Sequence, residues 1–256
     1  MSDYIKTDLV NKTAHITLSR MPANALVREM YLDIANAFYE LGERDDVAII
    51  VLRAEGKIFC GGNDISEFEA FNSRSTAEDA AEVCALAINS IWNCKKPVLA
   101  AVQGACMGAA FGMVAASDFI IAGEGVKFGI PEINLGIPAA GCFAHLALPL
   151  HVAKYMAFTG TPLTAEELFR WGTVMKVVPK EAVWEEADAF SAKIAASCYR
   201  AVGLFKQNFN ANVDARLRDK FMAEQHCFMD FMLSSHDFKE AVAAYQEKRK
   251  PEFNGK

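Results

Sequence analysis

From Pro97 to Ser117 the chain carries no charged side chain over about 21 residues, enough to span a bilayer if the run formed one helix. Gln103, Gly104, Gly108 and Gly112 interrupt it, and Asp118 follows directly. The run therefore reads as a buried strand over Val98-Leu99-Ala100-Ala101-Val102 and a tightly packed helix over Ala109 to Ala116, joined by a glycine turn. A strand of uninterrupted apolar residues calls for helices packed on a sheet.

The flanking sequence fits that demand. Thr13-Ala14-His15-Ile16-Thr17-Leu18 alternates as a strand with one buried face, and Ala48-Ile49-Ile50-Val51-Leu52 reads as a more fully buried one. Between them Met30, Ile34, Ala37, Phe38 and Leu41 recur at helical spacing over Val27 to Leu41. Thr76 to Trp92 reads as a second helix, and Phe119-Ile120-Ile121-Ala122 returns to strand. The expected class is α/β. Beyond residue 139 helical patterns dominate, with one short strand at Val174 to Val178. Near the C-terminus Phe221, Phe228 and Met232 share a face broadened by Phe231, suited to core packing or to docking another subunit. No linker, low-complexity tract or fixed-period repeat marks off independent domains.

Composition bounds the partners. Hydrophobic residues at 52% and charged residues at 23% describe an ordinary folded domain. A net charge of -6 argues against general electrostatic binding of nucleic acid. The basic cluster Lys248-Arg249-Lys250 reads as a solvated helix end. The seven cysteines are odd in number and never spaced as CxxC, and the five histidines form no HExxH. Zinc and disulfide frameworks are not expected, and a reducing cytoplasm fits best. Met1-Ser2-Asp3-Tyr4-Ile5-Lys6 contains no apolar signal core. No membrane partner is expected.

Three segments could carry chemistry. Gly56-Lys57-Ile58-Phe59-Cys60-Gly61-Gly62-Asn63-Asp64-Ile65 is a glycine-containing turn after a buried strand, where backbone N–H groups can face a ligand. Gln103 to Gly112 joins a strand to a helix, so free N–H groups leave the helix start. Neither turn matches a phosphate loop. The third segment, Phe128 to Pro138, holds Glu132 just before an apolar stretch in which only Cys142 and His145 titrate up to Leu150. Such a carboxylate loses hydration, so its pKa should move upward, as a general acid or base near neutral pH requires. Two donor turns and one desolvated carboxylate suit chemistry on a carbonyl compound. Cys142 and His145 stand three residues apart, the spacing of a nucleophilic pair for thioester hydrolysis. An ordinary core cysteine is the competing account.

The order and spacing of these segments resemble the crotonase superfamily, the enoyl-CoA hydratase/isomerase family. The resemblance runs from Leu18-Ser19-Arg20-Met21-Pro22-Ala23-Asn24-Ala25-Leu26, similar to that family's adenine-side loop, through Phe59 to Ile65 and Lys96 to Gly104, to Tyr245-Gln246-Glu247-Lys248-Arg249-Lys250-Pro251. It implies an α/β crotonase-like spiral of repeated ββα units over residues 1–195. A C-terminal helical region over 196–256 would serve CoA contact and trimerisation. It implies an acyl-CoA thioester as substrate, no separate cofactor, and a homotrimer or a hexamer made of two trimers. By the same resemblance Asn63 and Ala109 supply the oxyanion-hole N–H groups and Glu132 the acid–base. Ala23, Ala25, Cys60, Gly61, Asp64, Ile65, Phe68, Gly112, Tyr245 and Lys248 line the CoA and acyl site.

The departures from the family pattern shape the expected reaction. Gly112 stands where typical hydratases carry their first glutamate, and glycine transfers no proton. Ala109 replaces the usual glycine but keeps its N–H. Ser66 replaces a frequent lysine, which removes one phosphate contact. One carboxylate suits double-bond isomerisation of an enoyl-CoA. Standard syn hydration normally uses two and is penalised by the loss of one, although the family's hydroxycinnamoyl-CoA hydratase-lyases manage with a single glutamate. Glu132-Ile133-Asn134-Leu135-Gly136-Ile137-Pro138 also resembles the hydroxycinnamoyl-CoA hydratase-lyases, and the small Gly112 would leave room for a bulky or aromatic acyl group. Phe68, where those enzymes place a tyrosine, argues against a phenolic substrate. A catalytically silent CoA- or RNA-binding relative is the reading from another class.

Overall fold

The computed structural model describes residues 2–70, 74–135, 141–211, 213 and 235–255. The strands are β1 (Ile5–Val10), β2 (Thr13–Leu18), β3 (Ile49–Ala54), β4 (Val98–Val102), β5 (Cys106–Met107), β6 (Phe119–Gly123), β7 (Lys127–Gly129), β8 (Leu163–Thr164) and β9 (Lys176–Val178). The described helices, in chain order, are α1 (Arg28–Glu43), α2 (Arg74–Trp92), α3 (Ala109–Ala115), α4 (Gly141–Ala147), α5 (Leu150–Thr159), α6 (Ala165–Arg170), α7 (Val183–Ala195), α8 (Tyr199–Ala211) and α9 (His236–Glu247). The aromatic stripe at Phe221, Phe228, Phe231 and Met232 lies outside the described residues.

A six-stranded sheet runs β1-β2-β3-β4-β6-β9, antiparallel only at β1–β2, and a three-stranded sheet runs β5-β7-β8. This is the α/β spiral expected of the family. Side-chain alternation divides the large sheet between two cores. Ile50, Leu52, Val98, Ala100 and Val102 join the main core with Met30, Ile34 and Phe38 of α1 and Ile88 and Ile91 of α2. Ile49, Val51, Leu99, Ala101 and Ile121 face the other way, beneath Val183 and Ala187 of α7. Covering on both faces explains why β3 and β4 lack alternation.

β2 corrects the sequence reading. Its alternation predicts one exposed face, yet all six residues are buried. The polar face lies under α7 and is neutralised there. His15 Nδ1 meets Asp8 at 2.7 Å and Nε2 meets Asp188 of α7 at 3.0 Å, while Arg53 donates to Thr17 at 3.0 Å. β1, β5, β7 and β8 escaped the sequence reading. β5 and β8 have two residues each and β7 three, so pairing partners rather than local pattern define them.

Candidate active site

The site forms where two strand-to-helix turns meet. Cys60 N–H donates to Ala105 O at 3.1 Å and Met107 N–H to Cys60 O at 3.0 Å, laying 59–63 alongside 105–109. Gly62, at φ +93, lets the turns touch, since a β-carbon there would stand 2.9 Å from the Met107 carbonyl oxygen. An L side chain would meet both that contact and an unfavourable backbone angle.

Each turn carries one exceptional N–H. Leu26 N–H donates to Gly62 O and Asp64 N–H to Leu26 O, both at 2.8 Å. In such a parallel bridge the intervening Asn63 N–H is directed away from Leu26. Ala109 is the first residue of α3, so its N–H has no acceptor within the helix. With seven residues, α3 is too short for much of a dipole, and the N–H itself is what Ala109 contributes.

Glu132 arrives from the third segment. β7 pairs with β5 in the register Cys106↔Phe128 and Met107↔Gly129, and a 3₁₀ turn over Pro131–Leu135 follows. This brings the carboxyl against Gly108, whose φ is +60 and whose N–H donates to Gly129 O at 2.8 Å. Glu132 is half-buried, and its Oε2 has no hydrogen-bond partner among the described residues. Burial pushes its pKa above the ordinary glutamate value, against the opposing pull of its own backbone N–H and that of Ala109. The direction matches the sequence argument.

Gly112 corrects another expectation. A β-carbon on it would stand 3.0 Å from Ile88 Cδ1 and 3.7 Å from Phe143 Cδ2. Side chains of α2 and α4 thus border the position where the missing side chain would start, where open room was expected.

Of the residues expected on the CoA side, Gly61, Ala23 and Ile65 lie close together in the described structure. Gly61 is exposed and donates to Ala23 O at 2.9 Å, and Ile65 is 63% exposed beside them. Cys60 turns its side chain inward: the thiol is fully buried, bonds the Asn24 carbonyl at 2.9 Å, and is pushed up to about 12 by burial. Its backbone N–H and carbonyl are bonded to Ala105 and Met107, so Cys60 supports the turn rather than lining a ligand surface. Asp64 is held below the usual carboxylate range by Ser66, whose hydroxyl donates to it at 2.7 Å, and by Arg20. Arg20 lies 2.8 Å from Asp64 and donates to Ala25 O at 2.9 Å. Arg20 places a cation beside Asp64 where Ser66 offers none, and it stands inside the Leu18–Leu26 motif. The side chains of Phe68 and Tyr245 lie outside the described residues. Lys248 is exposed just past α9 at φ +55, a conformation uncommon for a side-chain-bearing residue.

Tyr31 escaped the sequence reading altogether. It is 4% exposed on α1, and its hydroxyl bonds Asn63 Oδ1. Its signal was a hydroxyl on the otherwise apolar face of Met30, Ile34 and Phe38. Of the proposed nucleophilic pair, His145 is exposed on α4 and the Cys142 side chain lies outside the described residues. Among the described residues no group of three potential ligands could hold a metal ion, and no helix is long and apolar enough to cross a membrane.

The chain belongs to the enoyl-CoA hydratase/isomerase family of the crotonase superfamily, whose model matches residues 9–256. It is 33% identical over 212 residues to a (7aS)-7a-methyl-1,5-dioxo-2,3,5,6,7,7a-hexahydro-1H-indene-carboxyl-CoA hydrolase of Rhodococcus jostii, covering 82% of this chain and 81% of the relative. It is 30% identical to the mitochondrial enoyl-CoA hydratase domain-containing protein 3 of Rattus norvegicus, covering 89% of this chain and 76% of the relative. An enoyl-CoA hydratase structure from Mycobacterium smegmatis superposes with a TM-score of 0.93 at 28% identity, covering 98% of this chain and 99% of the other.

Proposed function

We propose that this acyl-CoA enzyme hydrates or isomerises an enoyl-CoA with Glu132 as its single acid–base. The carrying observation is the buried, unpartnered Oε2 of Glu132, held against Gly108 beside the Ala109 N–H. The thioester oxygen accepts from the N–H groups of Asn63 and Ala109, which stabilise the enolate as charge moves onto that oxygen. Glu132 then handles the proton: in isomerisation it is removed at C2 and returned at C4, and in hydration it is taken from the water whose oxygen adds at C3 and delivered to C2. Gly112 contributes no second carboxylate.

A second reading keeps the enolate and cleaves the chain, as a retro-aldol lyase or by hydrolysis. The hydrolase name of the Rhodococcus jostii relative supports it, while Ile88 and Phe143 border Gly112, where open room for a bulky substrate was expected. A catalytically silent CoA- or RNA-binding role is the poorest fit to a desolvated glutamate. An acyl-CoA panel in heavy water with mass detection separates these readings. Gain of one water indicates hydration, deuterium exchange alone isomerisation, and chain cleavage the second reading. No product from any substrate, with tight binding, would sink both.

For assembly we propose a homotrimer, alone or paired into a hexamer, with region 196–256 at the contacts. Phe205 and Phe209 of α8 are 52% and 70% exposed, and Phe158 and Phe169 are 73% and 52% exposed nearer the middle of the chain. Aromatic surface on this scale suits burial against other copies. Light scattering on the purified protein tests it, and a monomer would refute it. A cytoplasmic location is supported by free cysteines among the described residues, whereas the rat relative is named mitochondrial.

A further inference from the structure

We infer that Tyr31 is a positioning residue for the oxyanion hole, acting through the side chain of Asn63. The inference rests on the hole described above and adds a residue to it. A tyrosine hydroxyl buried to this degree needs a partner, and it finds the Asn63 carboxamide. Cys84 of α2 is the hydroxyl's other hydrogen-bonding neighbour. Burial, reinforced by Cys84, Cys60 and Glu132, keeps Tyr31 protonated, so its O–H remains a donor.

The geometry gives that bond a task. Asn63 follows two glycines, so its N–H hangs on a peptide with little intrinsic stiffness. Leu26 grips this stretch twice, at Gly62 O and at Asp64 N–H, both from one side. Two bonds to one residue define an axis about which the intervening peptide can still rock. Tyr31 holds the Asn63 side chain off that axis and removes the rotation. The N–H direction, on which stabilisation of the thioester oxygen depends, is thereby tied to helix α1.

Tyr31→Phe deletes the hydroxyl alone, and Asn63→Ala deletes the other end of the same bond while keeping the backbone donor. The probe is a conjugated 2,4-dienoyl-CoA, whose absorbance moves to longer wavelength when its thioester carbonyl is polarised. Bound to the wild type it should show that shift. Either variant should lose most of it, with Kd from the same titration changed less than about twofold. On the reactive acyl-CoA, kcat should fall roughly 10- to 50-fold with KM nearly unchanged, because mis-aiming a donor costs somewhat less than the 10²- to 10³-fold of removing one. The double variant should be no worse than either single one.

A full spectral shift in Tyr31→Phe would overturn the proposal, as would additive losses in the double variant. So would loss of binding and melting temperature together, the mark of a merely structural tyrosine, or absence of any shift in the wild type. The readout needs no turnover and so is independent of Glu132. If the Glu132 reading alone fails, Glu132→Gln stays active while Tyr31→Phe still loses the shift. If only the Tyr31 inference fails, Glu132→Gln is inactive and Tyr31→Phe keeps its spectrum.

Discussion

The carboxyl of Glu132 rests directly on Gly108: a β-carbon on that glycine would overlap Oε1 and stand 3.0 Å from Cδ. Gly108 also sits at φ 60 and ψ -131, where L side chains are strained. The carboxyl proposed to handle the proton thus lies against the residue that precedes Ala109, the proposed oxyanion-hole donor.

Gly108→Ala should therefore displace Glu132 and re-aim the Ala109 N–H together. Strain of about 1–3 kcal/mol lowers the melting temperature, and misplacement near the reacting atoms costs on the order of 10²-fold in kcat/KM. Calorimetry and steady-state kinetics with the active acyl-CoA measure both, and wild-type kinetics would contradict the site.

Glu132→Gln should lower kcat by about 10²- to 10⁴-fold, the range of a lost general acid–base. Near wild-type turnover would end the mechanism. Because burial raises the folded-state pKa above the ordinary 4.5, the acid limb of kcat/KM lies higher than for a solvated glutamate. The same shift has a stability consequence. Stability from this group is complete below the unfolded pKa and is lost as pH rises through the folded one. Glu132→Gln should melt above the wild type near neutral pH and with it in acid, as a pH series of melting curves would show.

Asn24→Ala should destabilise the protein. The fully buried Asn24 side chain donates to Glu55 O, Ile58 O and Phe59 O at 2.9, 3.0 and 3.1 Å and accepts from Arg20 N–H at 2.8 Å. It staples the 20–26 loop to the turn after β3. Leaving those groups unpaired costs about 3 kcal/mol, read from urea denaturation. A loss under about 0.5 kcal/mol would place Asn24 among ordinary surface substitutions.

Gly112→Glu should not restore a two-carboxylate site by itself. Ile88 Cδ1 blocks the new β-carbon at 3.0 Å, so overpacking should destabilise the variant by roughly 1–3 kcal/mol. Adding Ile88→Ala should recover part of that loss. Gain of hydration by Gly112→Glu alone, at wild-type stability, would show that the site is looser than its packing indicates.

Much of the fold was legible because its parts are local patterns. The helical spacing of Met30, Ile34, Phe38 and Leu41, and the unbroken apolar run of β4, each announce their element without reference to distant residues. Where a short segment draws its identity from a partner, the sequence was mute. β5 exists because Cys106 and Met107 pair with Phe128 and Gly129, and the polar face of β2 is buried because Asp188 arrives from α7.

The site divides along the same line. By itself the sequence determined its ingredients: two glycine turns, a carboxylate isolated among apolar residues, and a glycine at position 112 that cannot move a proton. Only the tertiary structure decided their arrangement. It set Glu132 on Gly108, bordered Gly112 with Ile88 and Phe143, and joined Tyr31 to Asn63 across 32 positions of chain. The physical reason is range. Desolvation and backbone freedom follow from neighbours in sequence, whereas excluded volume and hydrogen-bond pairing depend on what long-range folding brings into contact.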